Sequence, residues 1–127
     1  EPRVATLTVD PKTAAEIRAM MAETVKRGTS TGSFRGFFKQ RGFSHIDVGG
    51  KTGSLTGTQP RGRYDWFVGY ANDGMRKIAV SALTVNERYW TVKSSYLARR
   101  AFETFFKEVA PTKTVALHPT RSARRTQ

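Results

Sequence analysis

Apolar residues recur along the chain with two different periods, which predict helices and strands. The first helix is predicted over 11–27, because Asp10 suits an N-cap, Pro11 suits the first turn and Gly28 suits a C-terminal stop. The aromatic stretch 34–40 predicts one short helical turn or a loop. The core-facing stripe of the first helix is expected to consist of Ile17, Met20, Met21 and Val25.

The middle of the chain carries strand-like segments. A strand is predicted over 46–56, where three glycines indicate that another group approaches the backbone closely. The segments 66–71 and 77–85 are apolar on both faces and flank turn residues at 72–74, which predicts a hairpin inside a covered sheet. A closing helix is predicted over 92–109, so the fold class is α+β, with an antiparallel sheet covered by helices and this last helix packed across it. Its core stripe is expected to consist of Val92, Tyr96, Leu97, Ala101, Phe102, Phe105, Phe106 and Val109.

Composition limits the class of protein. A chain of 127 residues with 38% hydrophobic residues is long enough for one domain with one core. We expect this domain to span 1–110, and we expect 111–127, which has basic but no acidic residues, to be a disordered tail. No stretch approaches the ~18 apolar residues of a membrane helix, and the N-terminus lacks the pattern of a secretory signal. A membrane anchor is therefore expected, if at all, outside this chain.

Several kinds of chemistry are excluded by residue type. The chain has no cysteine, which removes disulfides, thiol nucleophiles and thiolate metal sites. His45 and His118 are far apart, so neither a zinc site nor a Ser-His-Asp triad is expected, and no cofactor or metal is predicted. The formal net charge of +12 fits either a polyanion partner or a solvated basic surface. Nucleic acid is the less favoured partner, because the aromatic residues lie on predicted core stripes.

The segment Lys51-Thr52-Gly53-Ser54 carries the candidate chemistry. In an extended strand successive side chains point to opposite faces, so Thr52 and Ser54 share one face and Lys51 projects from the other. Two hydroxyls and an ammonium suit a ligand carboxylate, and Gly53 leaves space for a peptide to pair with the strand. The Ser54 N–H is suited to a developing oxyanion. A tripeptide alone is a weak signal, so its flanks matter.

Those flanks resemble a known family. The third conserved motif of penicillin-binding transpeptidases, with the strand after it, is similar to Gly49-Gly50-Lys51-Thr52-Gly53-Ser54-Leu55-Thr56-Gly57 followed by Asp65-Trp66-Phe67-Val68-Gly69-Tyr70-Ala71. The likeness extends from the helix at 11–27, which ends in Lys26-Arg27-Gly28-Thr29, through the closing helix at 92–109. It covers most of the chain, which therefore resembles the C-terminal part of a transpeptidase domain.

The resemblance implies a fold, a reaction and partners. The family domain has a five-stranded antiparallel sheet flanked by helices; this chain would supply three strands, with the motif strand at the edge beside the cleft. A family serine attacks the penultimate D-Ala carbonyl of a peptidoglycan stem peptide ending in D-Ala-D-Ala, releases D-Ala and passes the acyl group to an amine, and β-lactam antibiotics trap that serine. The implied partners are the stem peptide, β-lactams and the remainder of the domain. The implied location is the bacterial periplasm or the outer face of the cytoplasmic membrane.

The resemblance also assigns roles to residues of this chain. Lys51 would be the motif lysine, which helps to anchor the carboxylate and tunes a proton-relay serine electrostatically. Thr52 and Ser54 would bind the carboxylate, the Ser54 N–H would form half of the oxyanion hole, and Gly53 would give the ligand space. Lys51 and Ser54 are therefore the catalytic candidates, and substrate binding is expected from Thr52, Gly53 and Ser54. Three aromatic residues are expected to be structural: Trp66, Phe67 and Tyr70.

Two other family motifs are absent from the chain. No serine has lysine three positions on, and no Ser-x-Asn occurs; Tyr70-Ala71-Asn72 has the Tyr-x-Asn form of some relatives but falls on the predicted turn. The isolated chain is therefore expected to be inactive, and a fragment of a longer transpeptidase is favoured over a free-standing remnant. The alternatives are part of a DD-carboxypeptidase or a serine β-lactamase, a non-catalytic basic module for a polyanion, and a chance Lys-Thr-Gly in an unrelated domain.

Overall fold

Two α-helices and a three-stranded antiparallel sheet make up the fold in this computed structural model, which describes residues 9–87, 89 and 91–107. The helices are α1, Pro11–Lys26, and α2, Ser94–Lys107, with a short 3-10 helix at Phe37–Lys39. The strands are β1, Asp47–Thr58, β2, Arg61–Asn72, and β3, Lys77–Asn86. The predicted α+β class is confirmed. The predicted tail over 111–127, together with Val109 and His118, lies outside the described residues.

Helix α1 begins where its capping residues predict. The Asp10 carboxylate accepts a hydrogen bond from a backbone N–H of the first turn at 3.4 Å, and Pro11 opens the helix. The predicted core stripe is only partly right: Val25 is 2% exposed, whereas Ile17 and Met20 are 43% and 64% exposed. The reason is that α1 packs mainly against β1, so only a narrow face of the helix is buried.

The sheet has the order β1-β2-β3, with β1 at one edge. The predicted strands 46–56 and 66–71 are too short, because pairing of β1 with β2 continues to Thr58 opposite Arg61. Gln59 and Pro60 form the turn between them. This extension carries glycine and polar residues on both faces, which lower the strand signal that a hydrophobic pattern provides.

Helix α2 packs against β2 and β3, as predicted. On the face beneath α2, the β2 side chains Phe67 and Ala71 are fully buried. Within the described residues the hairpin is covered on one face only, and apolar side chains of the other face are 38–54% exposed. These side chains belong to Leu55, Trp66, Val68, Leu83 and Val85, and we call them the open sheet face.

The connection between α1 and β1, residues 27–46, supplies a large part of the core. Phe34, Phe37 and Phe43 of this α1–β1 connection are buried. The Phe34 ring centroid lies 6.0 Å from that of Phe67 on β2 and 6.3 Å from that of Phe102 on α2. Aromatic pairs at such separations stabilise beyond the area that they bury. The connection is therefore packed between the sheet and α2, and it includes the short helical turn that the sequence predicts.

The buried face of α2 differs from the predicted stripe. Phe102 and Phe106 are buried as predicted, whereas Tyr96 and Leu97 are 46% and 43% exposed. In the first two turns the buried residues are instead Ser94, Ser95 and Ala98. Small side chains in the first two turns let the helix approach the sheet closely. A hydrophobic pattern does not identify serine as a core residue, so it misses the contact face in these first two turns.

Asp65 of β2 anchors the first turn of α2. Its carboxylate accepts hydrogen bonds from the Ser94 N–H at 2.7 Å and from the Ser94 hydroxyl at 2.8 Å. Asp65 is only 9% exposed. The first N–H groups of a helix have no partner within the helix, and a carboxylate there is favoured by the helix dipole. A contact across 29 residues therefore fixes where α2 begins relative to the sheet.

Glu103 of α2 ties the α1–β1 connection to the helix. It is 3% exposed and accepts hydrogen bonds from Gln40 at 2.6 Å, Arg99 at 2.9 Å and Arg100 at 2.7 Å. Burial raises the pKa of Glu103, but the hydrogen bonds from Gln40 and Arg99 outweigh it, so the net pKa is lowered. Arg99 also donates to the carbonyl oxygens of Ser33 and Arg35, each at 3.0 Å.

Replacing Glu103 tests this network through its pH dependence. Because the folded pKa is lowered, the carboxylate stabilises the fold above the ordinary glutamate pKa of about 4.3, and this contribution disappears as pH falls through the folded pKa. We expect Glu103→Gln to lower the free energy of unfolding by about 1–3 kcal/mol at neutral pH. The deficit relative to wild type should shrink as pH falls below the ordinary glutamate pKa. Urea unfolding followed by circular dichroism measures both.

The control is Glu23→Gln, which removes an exposed partner of Arg27. An exposed pair contributes little, so this variant should stay near the wild-type stability at both pH values. An equal loss in the two variants, or a Glu103→Gln deficit independent of pH, would contradict the assignment.

Candidate functional site

A cavity of about 580 Å³ lies beside the middle of β1. Its lining comes from four segments of the chain and consists of Thr29, Lys51, Thr52, Gly53, Ser54, Asp65, Lys93 and Ser95. Within the described residues, β1 pairs only with β2, so its outer edge has no neighbouring strand. The structure thus brings all four residues named from the sequence, Lys51 to Ser54, to one cavity at a sheet edge.

The strand register separates the side chains of the motif. Thr52 lies opposite Phe67 and Ser54 opposite Asp65, on the face towards α2, whereas Lys51 lies opposite exposed Val68. The Lys51 ammonium folds back over its own strand and donates to the Thr52 carbonyl oxygen at 2.5 Å. An ammonium has three protons, so two remain for other acceptors. Lys51 therefore lines the cavity although its side chain leaves the strand on the other face.

Thr29 holds the hydroxyl of Thr52. The two side-chain oxygens are 2.8 Å apart, and either hydroxyl can be the donor. Thr29 stands in the α1–β1 connection, soon after α1 ends. Two hydroxyls have two protons and use one of them in their mutual hydrogen bond, so the pair keeps one donor for a ligand. The contact restricts the rotation of the Thr52 side chain at the cavity wall.

The glycines of β1 have two different explanations. A Cβ at Gly50 would lie 2.1 Å from the Phe67 ring, and one at Gly49 would lie 2.6 Å from the Tyr70 ring. These two positions need glycine because aromatic rings of β2 occupy the space. At Gly53 the nearest atom to an added Cβ is 3.7 Å away, so packing inside the chain does not require glycine there. Gly53 lines the cavity, and the space beside it is open.

The second wall of the cavity consists of residues that sequence reasoning missed. Lys93 and Ser95 stand at the start of α2, where Asp65 anchors the helix. Ser95 is 2% exposed, and its hydroxyl lies 2.7 Å from that of Ser33. Each of these contacts joins residues far apart in sequence, so no local pattern indicates them. Thr29 and Asp65 do have a sequence signal, because each lies in a segment that resembles the family, 26–29 and 65–71.

A cluster of metal-ligating side chains and a membrane-spanning helix are both absent from the described part of the chain. Residues 9–87, 89 and 91–107 contain no cluster of three or more histidine, aspartate or glutamate side chains placed to bind a metal. None of the helices in those ranges has the length and hydrophobicity needed to span a membrane.

A family of known proteins matches most of this chain. Residues 1–107 match the family described as the penicillin binding protein transpeptidase domain. No curated protein and no solved structure matches the chain. The family match covers far more than half of the 127 residues and includes every residue of the cavity lining. The chain therefore belongs to the penicillin binding protein transpeptidase domain family.

Proposed function

We propose that this chain forms the substrate-binding edge of a serine DD-transpeptidase, which cross-links peptidoglycan stem peptides and is trapped by penicillin. The observation that carries the proposal is the grouping of Lys51, Thr52, Gly53 and Ser54 at one cavity on the unpaired edge of β1. Membership of the transpeptidase family supports the same reaction class. The resemblance to this family implies the stem-peptide substrate and the role of each residue, and the hydroxyl and ammonium groups of the cavity are compatible with both.

The carboxylate of the ligand is the group that the cavity recognises. A stem peptide ends in the carboxylate of D-Ala, and a penicillin carries one on its fused rings. The hydroxyls of Thr52 and Ser54 share a face and donate to this carboxylate, while the remaining Lys51 protons attract it. Gly53 admits the peptide backbone alongside β1, which adds a strand-like partner to the edge.

Acylation needs groups in addition to those of β1. The Ser54 N–H forms half of the oxyanion hole and stabilises the negative charge that develops on the attacked carbonyl oxygen. The nucleophilic serine and its proton relay come from the remainder of the transpeptidase domain, outside these 127 residues, and Lys51 tunes that relay by its charge. The isolated chain is consequently inactive, because nucleophile and base act as a unit.

The remainder of the domain also covers the apolar surface of this chain. The open sheet face exposes Trp66, Val68 and Leu83 at 38–46%, and exposed apolar patches on strands are sites of association. In this proposal residues 1–110 are the C-terminal part of the domain, with 111–127 as a basic tail. The complete protein works in the bacterial periplasm or at the outer face of the cytoplasmic membrane, held by an anchor outside this chain.

Removing the carboxylate-binding groups tests the proposal. In the intact native protein, Lys51→Ala and Thr52→Val should each slow labelling by a fluorescent penicillin about 10–100-fold, since a hydrogen bond to a charged group contributes about 1.5–3 kcal/mol. Peptide mapping of the labelled wild type should place the acyl group on a serine outside residues 1–127. Release of D-Ala with and without an acceptor amine separates a transpeptidase from a DD-carboxypeptidase.

Matched controls for these substitutions lie on other elements. Lys77→Ala on β3 and Thr13→Val on α1 make the same chemical changes away from the cavity. They should label at the wild-type rate. Normal labelling of Lys51→Ala and Thr52→Val, or no labelling of the wild type, would refute the proposed function.

The hydrogen bond from Thr29 predicts a smaller effect of the same kind. Thr29→Val keeps the shape of the side chain but frees the Thr52 hydroxyl, and a neutral hydrogen bond contributes about 0.5–1.5 kcal/mol. Labelling should therefore slow about 2–10-fold, mainly through weaker initial binding. Thr29→Ser keeps a hydroxyl and should recover most of the rate. An equal loss in Thr29→Ser and Thr29→Val would show that hydrogen bonding is not the cause.

The glycines of β1 allow a contrast between folding and binding. Gly50→Ala places a methyl group against the Phe67 ring and should lower the free energy of unfolding of the chain by about 1–3 kcal/mol. Gly53→Ala meets open space and should leave stability unchanged or raise it by about 0.5–1 kcal/mol. In the intact protein, however, Gly53→Ala should slow penicillin labelling. Urea unfolding and labelling kinetics separate the two effects; a destabilised Gly53→Ala with normal labelling would contradict the assignment.

A further inference from the structure

The second wall of the cavity carries a positive charge that the β1 motif does not account for. Lys93 lines the cavity from the residue before α2. Its carbonyl oxygen accepts hydrogen bonds from the N–H groups of Tyr96 at 3.0 Å and Leu97 at 3.2 Å, so its backbone is fixed to the first turn of the helix. The side chain itself is exposed. Lys93 is therefore an exposed lysine on an anchored backbone beside the ligand space.

The charges around the cavity do not balance internally. Five ion pairs form between residues that the structure describes, and neither Lys51 nor Lys93 takes part in any of them. The carboxylate in the lining, Asp65, already accepts two hydrogen bonds from Ser94 and is nearly buried. Two ammonium groups thus face the ligand space without a described carboxylate bonded to either. An anionic ligand would supply negative charge to these two ammonium groups.

A single ligand carboxylate can bind only some of the hydroxyl and ammonium groups that line the cavity. A ligand carboxylate at Thr52 and Ser54 already has two hydroxyl donors and the Lys51 ammonium beside it. Those groups already supply the first carboxylate with its partners, and Lys93 forms no ion pair with a described carboxylate, so a second ligand carboxylate would be its partner. The cavity of about 580 Å³ is within the range of about 300–1,000 Å³ for small-molecule sites and leaves room beyond one terminal residue.

A hydrogen-bond donor accompanies Lys93 on this wall. Ser95 lines the cavity, and its hydroxyl shares one hydrogen bond with Ser33 at 2.7 Å. As with Thr29 and Thr52, the pair retains one proton that can be donated to an acceptor. An ammonium together with a fixed hydroxyl pair is a suitable set of partners for a carboxylate.

We infer that Lys93 and the Ser33–Ser95 hydroxyl pair form a subsite for a second carboxylate of the acyl donor. This inference rests on the proposed transpeptidase function and adds a specificity to it. The site favours dianionic ligands, in which one carboxylate binds at Thr52 and Ser54 and the other binds at Lys93. Lys93 determines the preference for dianionic over monoanionic ligands and takes no part in bond breaking.

The test compares two penicillins on the intact native protein. One is benzylpenicillin, which has a single carboxylate, and the other is an analogue of the same scaffold with an additional side-chain carboxylate. Second-order acylation rates are measured by competition with a fluorescent penicillin. The ratio of the dianionic to the monoanionic rate is the readout, because a partly unfolded variant loses both rates together and keeps the ratio.

We expect Lys93→Gln to lower this ratio about tenfold, which corresponds to about 1.4 kcal/mol, and Lys93→Glu to lower it further by repelling the second carboxylate. Lys77→Gln, the same change at the far end of the sheet, should leave the ratio unaltered. The wild-type preference should also weaken as ionic strength rises. Lys51→Ala should slow both ligands.

Two results overturn the inference in distinguishable ways. If both penicillins acylate the protein and the ratio is the same in wild type, Lys93→Gln and Lys93→Glu, the subsite does not exist and the proposed function stands. If neither penicillin acylates the wild type, the proposed function fails and the subsite fails with it.

Discussion

The carboxylate of Asp65 holds the start of α2 against the sheet, and the geometry of the cavity depends on that contact. Ser94 donates both its N–H and its hydroxyl to this one group. In the strand register Asp65 lies opposite Ser54, so the anchored helix begins next to the residue proposed to bind the oxyanion. A nearly buried carboxylate is costly unless its oxygens are hydrogen-bonded. The two bonds from Ser94 offset that cost, and they fix Lys93 and Ser95 beside β1.

The α1–β1 connection sets the distance between the two walls. Its hydroxyls contact both of them, since Thr29 is bonded to Thr52 of β1 and Ser33 to Ser95 of α2. Arg99 holds the same connection by donating to two of its carbonyl oxygens. Beneath these polar contacts lie the phenylalanines packed between sheet and helix. The Arg99–Glu103 pair therefore influences the cavity although neither residue lines it.

Features that depend on neighbouring residues could be predicted from the sequence, and long-range polar contacts could not. The start of α1 follows from Asp10 and Pro11, and the alternation along Lys51 to Ser54 needs only strand geometry. The contact of Asp65 with Ser94 spans 29 residues, and a pattern that assigns polar residues to solvent gives no indication of it. The same limit explains why the strand was recognised as the candidate site while Lys93 and Ser95 were not.

Mismatches between hydrophobic pattern and observed burial have two different meanings in this chain. On α2, Tyr96 and Leu97 are exposed because small residues form the contact face instead, and single exposed apolar side chains are ordinary. On the sheet, Trp66 and Val68 belong to a continuous apolar surface across all three strands. Covering such a surface is favourable by roughly 25 cal/mol per Å². The pattern of β2 and β3 therefore fits a sheet with partners on both faces, in agreement with the proposal that the remainder of the domain packs there.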